Sequence, residues 1–375
     1  MLPGPRHHDV EEVARQLSES RNPIIITEYA GRSPNAVGKL VELAELLKIP
    51  VFESMYPNVT NFPKNHPLHM GYDPMEALKE ADTVFVVGAT TPWYPPSAIP
   101  QNGPPKVIIL DEDPLKELLP YWGYPTETHL TAEIGQCLAD LVEALRARIQ
   151  KSGQVDSHHK GRFERCQTAH DQIVEQWKAE ASAGQESRPI SPKWFLYTLN
   201  KFIPDNAIVV EETITHRRLV HRYMTAPESV VRPGVGGLGV GLGVAAGRKL
   251  AHPERPVIFL VGDGSFNYNP VVSGLGLCQE YRLPVLIIVL NNGGYLAMKG
   301  SHRRIYPEGA SVSSDTFFGV DIAPDPEYAK LAEAFGGYGA RLEEPDDIEP
   351  ALNKAFEQFA AGRSGLLDVV LDPKI

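Results

Sequence analysis

Val257-Ile258-Phe259-Leu260-Val261 runs straight into Gly262-Asp263-Gly264-Ser265, and Val285-Leu286-Ile287-Ile288-Val289-Leu290 runs in the same way into Asn291-Asn292-Gly293-Gly294. Each apolar run has strand length, and each stops at glycines and polar residues. A run without alternation reads as a strand buried on both faces, as in a parallel sheet covered by helices. The stretch from about Pro270 to Tyr281 between them reads as a helix, so the unit is the strand–helix–strand crossover of a doubly wound α/β sheet. Ligands of such sheets bind beyond the carboxyl ends of the strands, where Asp263 and Asn292 stand. If the two strands lie close in the sheet, a carboxylate and an amide oxygen emerge side by side. Such hard oxygen ligands suit Mg²⁺, which takes one or two carboxylates together with phosphate and water. The flanking glycines let a ligand approach the backbone. Gly264 and Ser265 offer an N–H and a hydroxyl to a phosphate.

The alternation extends to both sides. Ser191-Pro192-Lys193-Trp194 opens a capped helix, followed by a strand at Ala207–Val210 and a glycine-rich stretch. Helices near Glu327–Phe335 and Ile348–Ala361 and a strand at Leu366–Leu371 close this block. Towards the N-terminus, Pro23–Thr27, Val51-Phe52, Thr83–Val87 and Lys106–Leu110 read as buried strands. Ser33 as N-cap and Pro34 at the first helical position start a helix carrying Val37, Leu40, Val41, Ala44 and Leu47. Thr131 to Gln150 is expected to close the first domain. Residues 151–188 are polar and read as a linker with a solvated helix, in which His158-His159 is a surface pair. The expected fold is α/β, with two doubly wound parallel-sheet domains at 1–150 and 189–375.

Composition narrows the function. A chain of 375 residues fits two domains. With 42% hydrophobic and 22% charged residues it has the mix of a soluble globular protein. A net charge of -11 argues against nucleic acid as partner, because phosphate backbones need a basic face. Cys137, Cys166 and Cys278 are far apart without a CxxC pair, which argues against a disulfide framework or zinc cluster and fits a reducing cytoplasm. No apolar run reaches the ~18 residues of a membrane span, and Met1–Val10 does not read as a signal peptide.

The Gly-Asp-Gly to Asn-Asn stretch, with residues 266–290 between, resembles the cofactor motif of thiamine-diphosphate enzymes. Gly236-Gly237-Leu238-Gly239, Ala251-His252-Pro253-Glu254-Arg255-Pro256-Val257 and Asn291-Asn292-Gly293-Gly294-Tyr295 are similar to segments of benzoylformate decarboxylase and acetolactate synthase. The resemblance implies that Asp263, the Asn292 side chain and the Gly294 carbonyl hold Mg²⁺, and that the metal holds the cofactor diphosphate. It places Leu238 under the bent cofactor and has the Gly236 carbonyl accept from the pyrimidine amino group. On the same ground Glu212, Thr213 and Thr215 reach the diphosphate, and Gly237, Gly262, Gly264, Ser265, Tyr295, Leu296 and Ala297 complete the cofactor pocket.

The first block resembles the middle domain of these enzymes. His66-Pro67-Leu68-His69-Met70-Gly71 is a family-like turn whose histidines read as structural. In Gly88-Ala89-Thr90-Thr91-Pro92-Trp93-Tyr94, benzoylformate decarboxylase places an active-site histidine where this chain has Trp93 and Tyr94. The two are candidates for a substrate pocket, and a core-capping role for Trp93 is the alternative. Family members begin with a further domain that binds the aminopyrimidine ring and supplies an activating glutamate. Glu11, Glu12 and Glu19 lie in an amphipathic helix and do not fit that part. The expectation is therefore the large subunit of a split 2-oxo-acid decarboxylase or carboligase acting on an acid such as pyruvate, with a truncated or degenerate chain as the alternative. A small pyrimidine-domain subunit would complete it, in a heterotetramer of two large and two small subunits. No motif decides for FAD or ADP on the middle domain.

Other readings remain. A non-catalytic cofactor-binding or regulatory subunit is one. A nicotinamide-binding Rossmann domain is another, since Gly234-Val235-Gly236-Gly237-Leu238-Gly239 matches GxGxxG and Asp263 follows about 20 residues on. However, those glycines follow Ser229-Val230-Val231-Arg232-Pro233, a short run ending in proline. Arg303-Arg304 reads as a surface cluster, with a substrate carboxylate as the alternative. Gly300 to Val320 is expected to be a mobile lid or an ordinary loop.

Overall fold

The computed structural model describes residues 4–54, 57–100, 103–119, 123–152, 157–226, 229–232 and 237–373. The chain divides into two compact units, Met1–Gln176 and Trp177–Ile375.

In the first unit α1 (His7–Glu19) precedes β1 (Pro23–Thr27), α2 (Ala36–Leu47), β2 (Val51–Glu53), α3 (Met75–Glu80), β3 (Thr83–Val87), β4 (Lys106–Asp111), β5 (Thr128–Thr131), α4 (Ile134–Ser152) and the greater part of α5 (Ser157–Ser182), whose last residues belong to the second unit. The strands form one parallel sheet in the order β2-β1-β3-β4-β5. Successive side chains of a strand face opposite ways, so Ile25 joins one core with Leu40, Leu43 and Leu141, while Ile24 and Ile26 join another with Leu78 and Val84. Both sheet faces are thus buried, as the unbroken apolar runs require.

Two local expectations are corrected by the structure. Asn35 takes a left-handed φ of 60°, so the second helix starts at Ala36 and not at Pro34. The Ser33 hydroxyl serves a different helix: it accepts the Gly135 N–H at 2.8 Å, at the start of α4. Thr131 ends strand β5 and does not start a helix. The helix expected within residues 151–188 is α5, in which only Arg162, Cys166, His170 and Ala181 are buried among the described side chains. Buried Arg162 donates to the carbonyls of Leu47 and Arg21 at 2.7 and 2.8 Å, and Glu180 accepts from Lys193 and Arg222 at 2.9 and 2.8 Å. The side chains of His158 and His159 lie outside the described residues.

The second unit runs α6 (Pro192–Asn200), β6 (Ile208–Glu212), α7 (Arg217–Tyr223), β7 (Ser229–Val231), α8 (Gly241–Ala251), β8 (Val257–Gly262), α9 (Asp263–Tyr268), α10 (Val271–Glu280) and β9 (Leu286–Asn291). It ends with α11 (Leu296–Ile305), α12 (Ala310–Ser313), α13 (Ala329–Glu333), β10 (Tyr338–Leu342), α14 (Ile348–Ala360) and β11 (Gly365–Val370). Its six strands are parallel, in the order β10-β11-β9-β8-β6-β7. Leu286, Ile288 and Leu290 enter one core, and Ile287 and Val289 the other. Residues 300–320 are not a plain loop, since α11 and α12 occupy much of the stretch. From β6 the chain steps outward to β7 and returns as β8 on the other side of β6. The winding reverses between β6 and β8, where a doubly wound sheet opens a crevice at its carboxyl edge.

Candidate active site

The strand registers bring that edge together. Glu212 lies beside Val261, and Gly262 beside Leu290. Thr213, Asp263 and Asn292, the residues that follow β6, β8 and β9, therefore emerge at one edge of the sheet.

Asp263 is the first residue of α9 and is 2% exposed. Its Oδ1 accepts the Gly264 N–H at 2.8 Å, and its Oδ2 accepts the Gly294 N–H at 2.9 Å. The Gly294 N–H also reaches Asn292 Oδ1 at 3.3 Å. Gly294 fits because a Cβ there would lie 2.6 Å from the Val320 carbonyl oxygen. Burial pushes the Asp263 carboxyl up to about 6, and only backbone N–H groups pull it back. A buried carboxylate balanced by N–H groups alone lacks a cation, so the donor set of Asp263 and Asn292 fits Mg²⁺. His216 is fully buried beside them, with Nε2 3.3 Å from Asn292 Nδ2. Burial pushes its imidazole down to about 4, so the ring is neutral at ordinary pH.

These groups line a cavity of about 210 Å³. Thr213 and Thr215 reach it from the end of β6, and Leu238 from the loop before α8. Gly262, Asp263, Gly264 and Ser265 come from the β8–α9 junction, and Asn292 and Gly294 from the end of β9. Tyr295, Leu296 and Ala297 close the side where α11 begins. Ile214, His216, Tyr268 and Met298 also line it and were not singled out from the sequence. His216 lies next to Thr215 at a strand end, and that position was the available signal. Small-molecule pockets usually run to ~300–1,000 Å³, and this cavity, as lined by the described residues, lies below that range.

Several expected site residues lie elsewhere. Glu212 does not face the cavity: its carboxylate accepts the Gly239 and Gly241 N–H groups at 2.6 and 3.1 Å and the Asn269 amide at 2.8 Å. It caps the start of α8, satisfying N–H groups that a helix leaves unpaired. Its effect on the cavity is indirect, because the capped loop carries Leu238 and turns through Gly239 at φ 92°. The Thr213 hydroxyl is taken by buried Glu211. Gly237 is exposed and not part of the lining, and Gly236 lies outside the described residues. Trp93 belongs to the first unit's core, 3% exposed and edge-on to Tyr124 at 4.9 Å, whereas Tyr94 is 74% exposed. Arg303 pairs with Asp315 at 2.9 Å and lies over the Phe317 ring.

Comparison with known proteins gives a consistent result. Residues 10–141 match the family described as thiamine pyrophosphate enzyme, central domain, and residues 214–369 match its C-terminal TPP binding domain. Benzoylformate decarboxylase of Pseudomonas aeruginosa is 28% identical over 368 residues, covering 96% of this chain and 62% of its own length. The acetolactate synthase isozyme 3 large subunit of Escherichia coli is 25% identical over 378 residues, covering 97% and 62%. This chain thus spans about three-fifths of the length of these relatives. In fold it is similar to a crystal structure of benzoylformate decarboxylase from Polynucleobacter necessarius, with a TM-score of 0.74 at 20% identity, over 100% of this chain and 66% of that one.

Proposed function

The chain belongs to the thiamine pyrophosphate enzymes, whose cofactors are thiamine diphosphate and Mg²⁺, and from that premise we propose that it is the large subunit of a 2-oxo-acid decarboxylase or carboligase. The observation that carries the reading is the convergence of buried, cation-deficient Asp263 with Asn292 and Gly294 on one cavity. In this reading Asp263, Asn292 and the Gly294 carbonyl hold Mg²⁺ against the diphosphate. Ser265 offers its hydroxyl to the phosphates, the Gly264 N–H being turned to Asp263 instead, and Leu238 supports the cofactor. When bound, the thiazolium ring supplies the electron sink that decarboxylation of a 2-oxo acid needs. The protein's part is to hold that ring in a fixed place and keep water from it.

The pyrimidine side of the cofactor is assigned to a second polypeptide that supplies the activating glutamate. Two features support this. The cavity, as lined by the described residues, is smaller than small-molecule pockets usually are. Shortly after the lining residue Tyr268, which is 62% exposed, α10 is mostly apolar, yet among its residues only Leu275 and Cys278 are buried and Val272 is 66% exposed. Large exposed apolar patches mark interaction surfaces. Two large and two small subunits form the proposed assembly, with pyruvate as the first substrate to try.

The test is pyruvate consumption with thiamine diphosphate and Mg²⁺, by the chain alone and mixed with a candidate pyrimidine-domain polypeptide. Turnover only in the mixture supports the proposal. Turnover by the chain alone contradicts the assigned partner. Cofactor binding without turnover in the mixture, across a panel of 2-oxo acids, favours a non-catalytic subunit.

A further inference from the structure

His216 stands out because nothing in the cofactor reading uses it. It is fully buried, lines the cavity and comes from the connection between β6 and α7, whereas its neighbour Asn292 directly follows β9, on the other side of β8. Asn292 Nδ2 lies 3.3 Å from His216 Nε2. An amide nitrogen is only a donor, so Nε2 must accept and the ring proton sits on Nδ1. Among the described residues Nδ1 has no hydrogen-bond partner. A histidine kept only to fill a core would be expected to satisfy both nitrogens; among the described residues this ring makes one hydrogen bond, to the amide of Asn292.

The amide has two ends of opposite character, and only the oxygen end can hold a cation. Two contacts fix which end faces the metal. The Gly294 N–H donates to Oδ1 at 3.3 Å, and Nε2 of His216 takes the amide hydrogen from the opposite end. Without an acceptor there, one amide hydrogen is buried unpaired, and rotation that turns Nδ2 toward the cation becomes less costly. We infer that His216 is a positioning residue for the metal site, holding Asn292 with its oxygen presented to Mg²⁺ through the Nε2–amide hydrogen bond. This rests on reading the cavity as the diphosphate and Mg²⁺ site. Outer partners of this kind typically change metal affinity ~10–100-fold when removed.

The test compares His216→Gln with His216→Met. The two side chains have similar length, and Gln Oε1 stands near the place of Nε2 and accepts, whereas Met offers no comparable acceptor. The measurement is the Mg²⁺ dissociation constant of the full chain at saturating thiamine diphosphate, by calorimetry, with the melting temperature of the metal-free chain alongside. The expected result is H216Q within about 3-fold of wild type and H216M weaker by ~10–100-fold, with similar metal-free melting temperatures. In an Asn292→Ala background, H216M should cause no further loss, because the two residues act through one bond. Equal Mg²⁺ affinity for H216Q and H216M, or a full additive loss in the Asn292→Ala background, would overturn the inference. A wild-type chain that binds no Mg²⁺ overturns the site reading itself, which is a distinguishable failure.

Discussion

Asp263 ties metal binding to pH in a way that can be measured without catalysis. In the metal-free chain its carboxyl rises from 3.8 to about 6 on burial. The folded state therefore holds its proton to higher pH than the unfolded state does. Between those values folding takes up a proton, so stability is lost as pH rises. Above about pH 6 the folded chain carries the full cost of a buried charge, about 3 kcal/mol at 1.36 kcal/mol per pKa unit. Burial to 2% exposure leaves little solvent screening to reduce it. Other carboxyls titrate in the same range, so Asp263→Asn is the reference and only the difference between the two proteins is read. Urea unfolding with EDTA, followed by hydrogen exchange in peptides of β8 and β9, isolates the second unit. The wild-type minus variant stability should fall by about 2.4 kcal/mol from pH 4 to pH 7, because part of the ~3 kcal/mol is already lost below pH 4. With Mg²⁺ and thiamine diphosphate the wild type regains stability above pH 6, and its metal affinity weakens as the carboxyl protonates at lower pH. A metal-free difference curve that is flat from pH 4 to 7 would refute the account of Asp263 as a cation-deficient carboxylate.

Glu212→Gln should destabilise the second unit by about 2–3 kcal/mol, because the amide cannot accept from all the donors the carboxylate now serves; unchanged urea unfolding would remove the capping role. Leu238→Ala should shift stability by less than about 1 kcal/mol, since the side chain is only half-buried, while weakening thiamine diphosphate binding about tenfold or more. Unchanged cofactor affinity in a titration would take Leu238 out of the site. Trp93→Ala should cost the first unit about 3–5 kcal/mol, and Tyr94→Ala less than about 0.5 kcal/mol. If Trp93→Ala altered turnover of the assembled enzyme at unchanged stability, Trp93 would be a pocket residue after all.

The inner strands were legible because both of their faces are buried. Ile24–Ile26, Val84–Val87 and Ile287–Leu290 are apolar without interruption for that reason. Strands β5, β7 and β10 were missed or left unassigned, and all three lie at sheet edges. β5 and β10 each bury a single residue, Leu130 and Leu342, so their sequences carry little hydrophobic signal. Asp263 and Asn292 could be read because each follows its strand directly. Glu212 could not, because its partners on α8 and α9 are distant in sequence and its role depends on three elements meeting. Ser33 has the local look of an N-cap, yet its hydroxyl serves α4, a choice made by tertiary packing. His216 was hidden for the same reason: its value lies in Asn292, which only the strand order brings beside it.

The most direct test of the central claim is calorimetric titration of thiamine diphosphate into the chain, with Mg²⁺ and with EDTA, for wild type and Asp263→Ala. The account predicts one site per chain in the presence of Mg²⁺, lost with EDTA and lost in D263A while the fold is retained. Binding of thiamine diphosphate that persists in both EDTA and D263A would contradict it, because the diphosphate would then be held without the metal that Asp263 is placed to bind.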